Sequence, residues 1–113
     1  MRNMSFSLTT PQMLARTKTV TRRLGWEFLK PGDVMMAIEK GQGLKRGEHV
    51  TRLYPIEVIS VRREQVNEID AVDVIREGFP EFSVDEFIEM FCEANGCKPT
   101  TRISRIEFRE VMQ

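Results

Sequence analysis

Arg52-Leu53-Tyr54-Pro55-Ile56-Glu57-Val58-Ile59-Ser60-Val61-Arg62-Arg63 is the longest strand candidate in the chain, and its reading decides the fold. β-Branched and aromatic side chains suit a pleated, half-buried surface, and Ile56, Val58 and Ile59 form the apolar centre of this run. Pro55 has no N–H to give to a ladder, so the start of the strand is expected at an edge or a bulge. Upstream, Lys30-Pro31-Gly32-Asp33 is a turn, with proline presetting φ and glycine free to take positive φ, and it feeds a strand over Val34 to Glu39. Gly41, Gly43 and Gly47, interleaved with Lys40, Lys45 and Arg46, make a flexible basic loop between these two strands.

Downstream, Asp70 caps a helix whose apolar residues Ala71, Val72 and Ile75 are expected to point inward, with Gly78 as its terminator. Ser83 to Glu86 has capping-box spacing, and Val84, Phe87, Ile88 and Phe91 recur at helical intervals until Asn95-Gly96. Loss of the Ser83 cap costs about 1 kcal/mol. Arg102 to Val111 alternates as a closing strand, with Ile106 and Phe108 on one side.

The N-terminal part supplies one more strand, Met4 to Thr9, with Phe6 and Leu8 sharing a face. Thr10 before Pro11 then starts a short helix ending near Arg16, its hydroxyl accepting an orphan backbone donor. Thr17, Thr19, Val20 and Thr21 favour extended chain, and Gly25-Trp26 opens a loop. The order is thus β, α, β, β, β, α, α, β, with connections too short for most parallel crossovers. A single α+β domain over residues 1–113 follows, built on a mixed, mostly antiparallel curved sheet or open β-barrel with short flanking helices.

Composition fits that reading. With 41% hydrophobic and 30% charged residues the chain can build one core and needs no disulfide scaffold. No apolar run approaches a bilayer span and the first residues lack a signal pattern, so a cytoplasmic protein without a membrane role is expected. Cys92 and Cys97, with His49 as the only other soft ligand, cannot complete a four-ligand zinc site, and no cofactor is called for. The zero net charge hides polarity: residues 1–63 carry 12 Lys/Arg against 5 Asp/Glu, and residues 64–93 carry 1 against 10. That segregation either makes a basic face that attracts phosphates or merely clothes acidic helices in a solvated surface.

Chemistry concentrates in Lys18-Thr19-Val20-Thr21-Arg22-Arg23. A lysine activates a nearby threonine only when its amine is neutral, which takes burial or neighbouring cations, and Arg22 and Arg23 are such cations. Residues three apart on a regular strand point to opposite faces, so Lys18 must lie in the helix-to-strand turn, or the strand must bulge, for both to converge. Glu77 falls at a helix C-terminus, where the macrodipole disfavours a carboxylate by about 0.3–1 kcal/mol. A residue placed against local stability suits a site, here as general acid or base. Trp26 is either a core residue or a surface on which a base stacks.

With these residues in place the sequence resembles the ASCH domain family, whose members share a PUA-like β-barrel with helices packed around it. The likeness spans nearly the whole chain. It is strongest toward a compact, phage-associated branch, through Lys18 to Arg23, Gly25-Trp26, Leu29 to Asp33, Glu77-Gly78-Phe79-Pro80 and Arg105-Ile106-Glu107-Phe108, in that order. The resemblance implies recognition of RNA or a modified nucleoside in a cleft beside the barrel. Some small bacterial members similar to this chain are amidohydrolases that deacylate cytidine acylated on its exocyclic amine, and the lysine, threonine and glutamate they use correspond to Lys18, Thr21 and Glu77. Other members are ribonucleases. Arg16 stands where a glycine is often found, two residues before the lysine.

Three functions therefore compete. An amidohydrolase would use Lys18 as base, Thr21 as nucleophile and Glu77 as proton donor or orienter. A binding module would engage RNA phosphates through Arg16, Lys18, Arg22, Arg23, Lys45 and Arg46, with Trp26 stacking a base. A non-catalytic phage accessory protein would bind a host protein through the acidic helices at 70–77 and 83–94.

Overall fold

The computed structural model describes residues 1–41 and 44–112, so Gly43 of the basic loop lies outside the described residues. Five strands, β1 (Arg2–Ser5), β2 (Val20–Arg23), β3 (Val34–Ile38), β4 (Arg52–Gln65) and β5 (Arg102–Glu110), form one curled sheet in the order β1-β3-β4-β5-β2. Three helices, α1 (Thr10–Leu14), α2 (Ala71–Arg76) and α3 (Val84–Asn95), flank it. All pairings are antiparallel except β1 with β3, which run parallel. The mixed, mostly antiparallel curved sheet expected from the element order is what forms, curled into a half-barrel. β1 and β2 are the two free edges.

β4 holds this together because its first half pairs with β3 and its second half with β5. The two ladders overlap at Ile56 and Glu57, the β5 ladder has a bulge between Val58 and Ser60, and the residue left unpaired there is Ile59. Ile59 is therefore exposed, contrary to its expected place in the strand's apolar centre, because one extra residue in a strand turns a side chain to the other face. Pro55 lies in a central strand, between the irregularity at Leu53 in the β3 ladder and the bulge at Ile59 and in neither. Its carbonyl accepts from Val111 N at 2.9 Å, just past the end of β5, so its nitrogen faces the side where the partner strand runs out. The missing N–H thus breaks no ladder bond, an edge in effect if not in position.

Two apolar clusters fill the domain. Met4, Phe6, Met13, Met35, Ile56, Val58, Ile106 and Phe108 pack inside the curl of the sheet, and Val66, Ile69, Val74, Phe87, Phe91 and Ile103 pack under α2 and α3. Phe6 is buried there, whereas Leu8 is exposed, because the strand stops at Ser5 and its alternation stops with it. At α1 the N-cap position falls on Thr9, and the Thr10 hydroxyl donates to Phe6 O at 2.9 Å instead of accepting an orphan donor.

The other two helix starts follow the local signals. Asp70 accepts from Asp73 N at 2.8 Å, and Ser83 and Glu86 form a reciprocal capping box. Gly78, at φ 100°, ends α2, with Phe79 N bonded back to Val74 O at 3.1 Å. The face of α2 is the reverse of that expected: Val72 and Ile75 are 63% and 56% exposed, while Asp73, Val74 and Glu77 turn inward. Among the described residues no helix is long and apolar enough to cross a membrane.

Candidate functional site

The two free edges of the sheet approach without pairing, and a cavity of about 230 Å³ lies in that seam. The segment Ser5–Thr9 that follows β1 lines one side, and Lys18 with Thr21, Arg22 and Arg23 of β2 lines the other. Glu77 and Phe79 beyond α2 complete the wall together with α3, whose Phe87, Met90 and Phe91 supply an apolar surface. The volume is below the usual range for drug-sized ligands, about 300–1,000 Å³, so it suits a single small group.

Lys18 precedes the first residue of β2 and so lies in the turn after α1, which removes the geometric objection to its meeting Thr21. A backbone clamp puts it beside Glu77: Thr19 N donates to Arg76 O at 2.8 Å, joining the neighbours of both residues. The Arg76 side chain reinforces this contact by pairing with Glu107 at 2.6 Å. Lys18 is only 4% exposed, and its Nζ donates to Glu77 Oε1 at 2.6 Å and to the Glu77 carbonyl at 2.9 Å. Burial pushes its pKa below the ordinary lysine value; Glu77 opposes that shift, and Arg23 and Arg22 add to it.

Arg22 is the hub of a buried ion network. It donates to Glu77 Oε2 at 3.2 Å, Glu64 Oε2 at 3.1 Å and Asp73 Oδ2 at 2.6 Å. The register explains why. Arg22 lies directly opposite Arg105 in the β2–β5 ladder, and like charges in that relation repel. Asp73 resolves the conflict by accepting from Arg105 at 2.6 and 2.9 Å as well as from Arg22. The two guanidinium groups, Arg105 foremost, hold the Asp73 carboxyl well below the usual carboxylate range. Arg22 Nε is the one buried side-chain polar atom among the described residues without a partner.

Arg23 differs from its neighbour. Its Nε donates to Thr21 Oγ1 at 3.1 Å, and its guanidinium covers the Phe6 ring at 4.6 Å, spanning the seam. No carboxylate lies within ion-pairing distance of it among the described residues, and burial lowers its pKa to about 10 against a weaker pull from Glu77.

The remaining cations lie elsewhere. Arg16, at φ 59°, makes a two-pronged pair with Glu110 at 3.0 and 3.1 Å and covers the Tyr54 ring, outside the cavity lining. Lys45 and Arg46 are exposed in the β3–β4 loop and do not line the cavity. Trp26 packs on the first apolar cluster beside Phe28, ring centres 5.6 Å apart. The structure thus brings together Lys18, Thr21, Arg22, Arg23 and Glu77, and leaves Arg16, Trp26, Lys45 and Arg46 apart from them. It adds Glu64, Asp73 and Arg105, which sequence reasoning missed. One signal was available, since Asp73 and Glu77 are four apart and so share a helix face. Among the described residues no cluster of His, Cys, Asp and Glu is arranged to hold a metal ion.

By sequence, no family profile and no curated protein matches this chain. Solved structures match by shape. An ASCH domain from Lactobacillus crispatus superposes with a TM-score of 0.64 at 14% identity, covering 96% of this chain and 79% of its own. A hypothetical protein, PH0355, gives 0.67 at 15% identity over 96% and 97% of the two chains. Protein EF3133 of Enterococcus faecalis, described under the family DUF984, gives 0.66 at 16% identity, over 88% of this chain and 65% of that one; this chain spans about two thirds of its length. The fold is accordingly the PUA-like fold of ASCH domains.

Proposed function

We propose that this protein binds a modified pyrimidine nucleoside in the seam cavity and hydrolyses the acyl group from cytidine acylated on its exocyclic amine. The observation that carries this reading is the convergence of Lys18, Thr21 and Glu77 on one small cavity, from two segments of chain far apart in sequence. The basic groups Lys18, Arg22, Arg23, Arg62 and Arg105 outnumber the three carboxylates Glu64, Asp73 and Glu77, which favours loss of a proton from the cluster. Lys18 is the group whose burial makes that loss easiest. Neutral Lys18 takes the Thr21 proton as Oγ1 bonds to the acyl carbon. The resulting ammonium returns that proton to the exocyclic nitrogen as the C–N bond breaks. Water, with Lys18 again as base, then releases the acyl group from Thr21. Glu77, bonded at once to Lys18 and Arg22, acts here as the orienter of the base.

Purified wild type, Lys18→Ala and Thr21→Ala are incubated with N-acetylated cytidine and the product followed by chromatography, with circular dichroism to check folding. Turnover by the wild type that vanishes in both folded variants is expected. An inert wild type, or turnover that survives either change, sinks the reading.

A second reading rests on an open hollow along α3, lined by Phe82, Glu86, Glu89, Met90, Glu93 and Ala94. Its acidic rim and apolar floor suit a cationic segment of a protein partner, such as a host protein. Charge reversal at Asp85 and Glu89 weakens capture of that partner and leaves nucleoside chemistry intact; unchanged capture counts against it.

A further inference from the structure

Resting on the acyl-transfer reading, we infer that Arg23 is a catalytic residue, donating to the oxygen that becomes negatively charged when Thr21 attacks the acyl carbon. Its Nε already donates to Thr21 Oγ1 at 3.1 Å, so the guanidinium is anchored on the attacking atom. When Oγ1 bonds to the acyl carbon, the carbonyl electron pair moves onto an oxygen two bonds from Oγ1. Oγ1 then keeps one hydrogen bond, and the carbonyl oxygen faces the rest of the same planar fork. The terminal nitrogens of Arg23 have no protein acceptor among the described residues, in contrast to those of Arg22, which hold three carboxylates.

Arg23 also differs from every other cation of the cluster in having no carboxylate at ion-pairing distance among the described residues. A cation half-buried against the Phe6 ring and uncompensated is most strongly attracted to a negative charge that forms during reaction, where less water screens it. A donor aimed at the resting carbonyl alone would help binding and transition state equally. The Thr21 anchor ties this donor to the bond being made. Lys18, Thr21 and Arg23 thus divide the step: base, nucleophile and stabiliser of the oxyanion. When the tetrahedral intermediate collapses, the electron pair returns from that oxygen, the C–N bond breaks and the leaving nitrogen takes the proton held on Lys18.

The test is steady-state kinetics of Arg23→Ala and Arg23→Lys on N-acetylated cytidine, with melting temperatures for both and added guanidine for the alanine variant. Removal of one oxyanion donor lowers kcat about 10²–10³-fold, and KM should stay within about threefold. Lysine or free guanidine should restore part of the lost rate. A kcat kept within twofold, or a loss confined to KM as for an arginine that only holds the substrate, overturns the inference. Should Arg23→Ala fail to fold, Arg23→Lys alone decides by the same split. If wild type leaves N-acetylated cytidine untouched, that substrate reading fails by itself, and acetylation of Thr21 by p-nitrophenyl acetate, read by mass spectrometry, tests Arg23 separately. Faster labelling of wild type than of Arg23→Ala supports the role; equal rates, or no adduct on Thr21, overturn it.

Discussion

Lys18 carries a conflict between stability and chemistry. Because burial lowers its pKa in the folded state, the unfolded chain binds more protons between that lowered value and the ordinary lysine value of about 10.5, and stability contributed by this group rises with pH through that window. Below the window Lys18 is a liability. Lys18→Met, which keeps the length of the side chain and leaves Glu77 paired with Arg22, should abolish turnover without lowering the melting temperature at pH 7. The difference between variant and wild type should shrink as the pH approaches 10. A variant that melts well below wild type at pH 7 would show that the Lys18–Glu77 pair stabilises the fold.

Asp73 has the opposite sign. Its folded pKa is depressed, so its contribution is complete above the ordinary aspartate value of about 4 and is lost as pH falls through that value toward the folded one. Asp73→Asn leaves two facing arginines short of a carboxylate, and breaking a buried pair in this way costs about 3–5 kcal/mol. Denaturant titration should register that loss at pH 7, and the variant should show a flatter decline in stability below pH 4. A cost under about 1 kcal/mol would mean that Glu64 and Glu77 suffice to hold Arg22.

At the scale of elements, α2 is the part whose placement makes the site, and its stop signal is what holds it there. Gly78 sits at φ 100°, and a Cβ added to it would meet Gln12 Cγ at 2.6 Å and Cβ at 2.9 Å. Both the left-handed backbone and the close approach of α1 therefore require glycine. Gly78→Ala should destabilise by more than about 1 kcal/mol and, because Glu77 is its immediate neighbour, lower activity beyond what the stability change explains. Thermal melts and turnover measured on the same preparation check this, and a variant with wild-type values for both would show that α1 shifts freely. The short helices were legible at this scale because their caps are made within three or four residues of chain. Thr10 was the exception: its hydroxyl found a carbonyl in the preceding segment, which cap-spacing rules do not consider.

Across the whole molecule, the basic first half and the acidic 64–93 segment meet at one buried cluster. Lys18 and Arg22 meet Glu64, Asp73 and Glu77 inside the domain, and Arg16 is spent on Glu110. Among the described residues the cavity therefore presents one uncompensated cation, Arg23, and not a basic track. Binding of a single-stranded oligoribonucleotide, followed by calorimetry, should change less than about twofold between 50 and 200 mM salt, whereas a protein that neutralises 6–10 phosphates loses about 10³–10⁵ in affinity over that range. A steep salt slope would instead indicate a phosphate-tracking surface, with the exposed Lys45 and Arg46 as its first suspects.

The sequence by itself determined the element order, the caps at Asp70 and Ser83, the stop at Gly78 and the grouping of Lys18 with Thr21, since each depends on hydrogen bonds, backbone preferences or spacing within a few residues. Only the tertiary structure decided that β1 joins the sheet in parallel, that β4 bulges at Ile59, and that α2 hides Asp73 and Glu77 while exposing Val72 and Ile75. The last follows from a non-local demand. Two arginines facing each other across a ladder need buried carboxylates more than the core needs two more aliphatic side chains, and that need arises only when β2 and β5 are side by side.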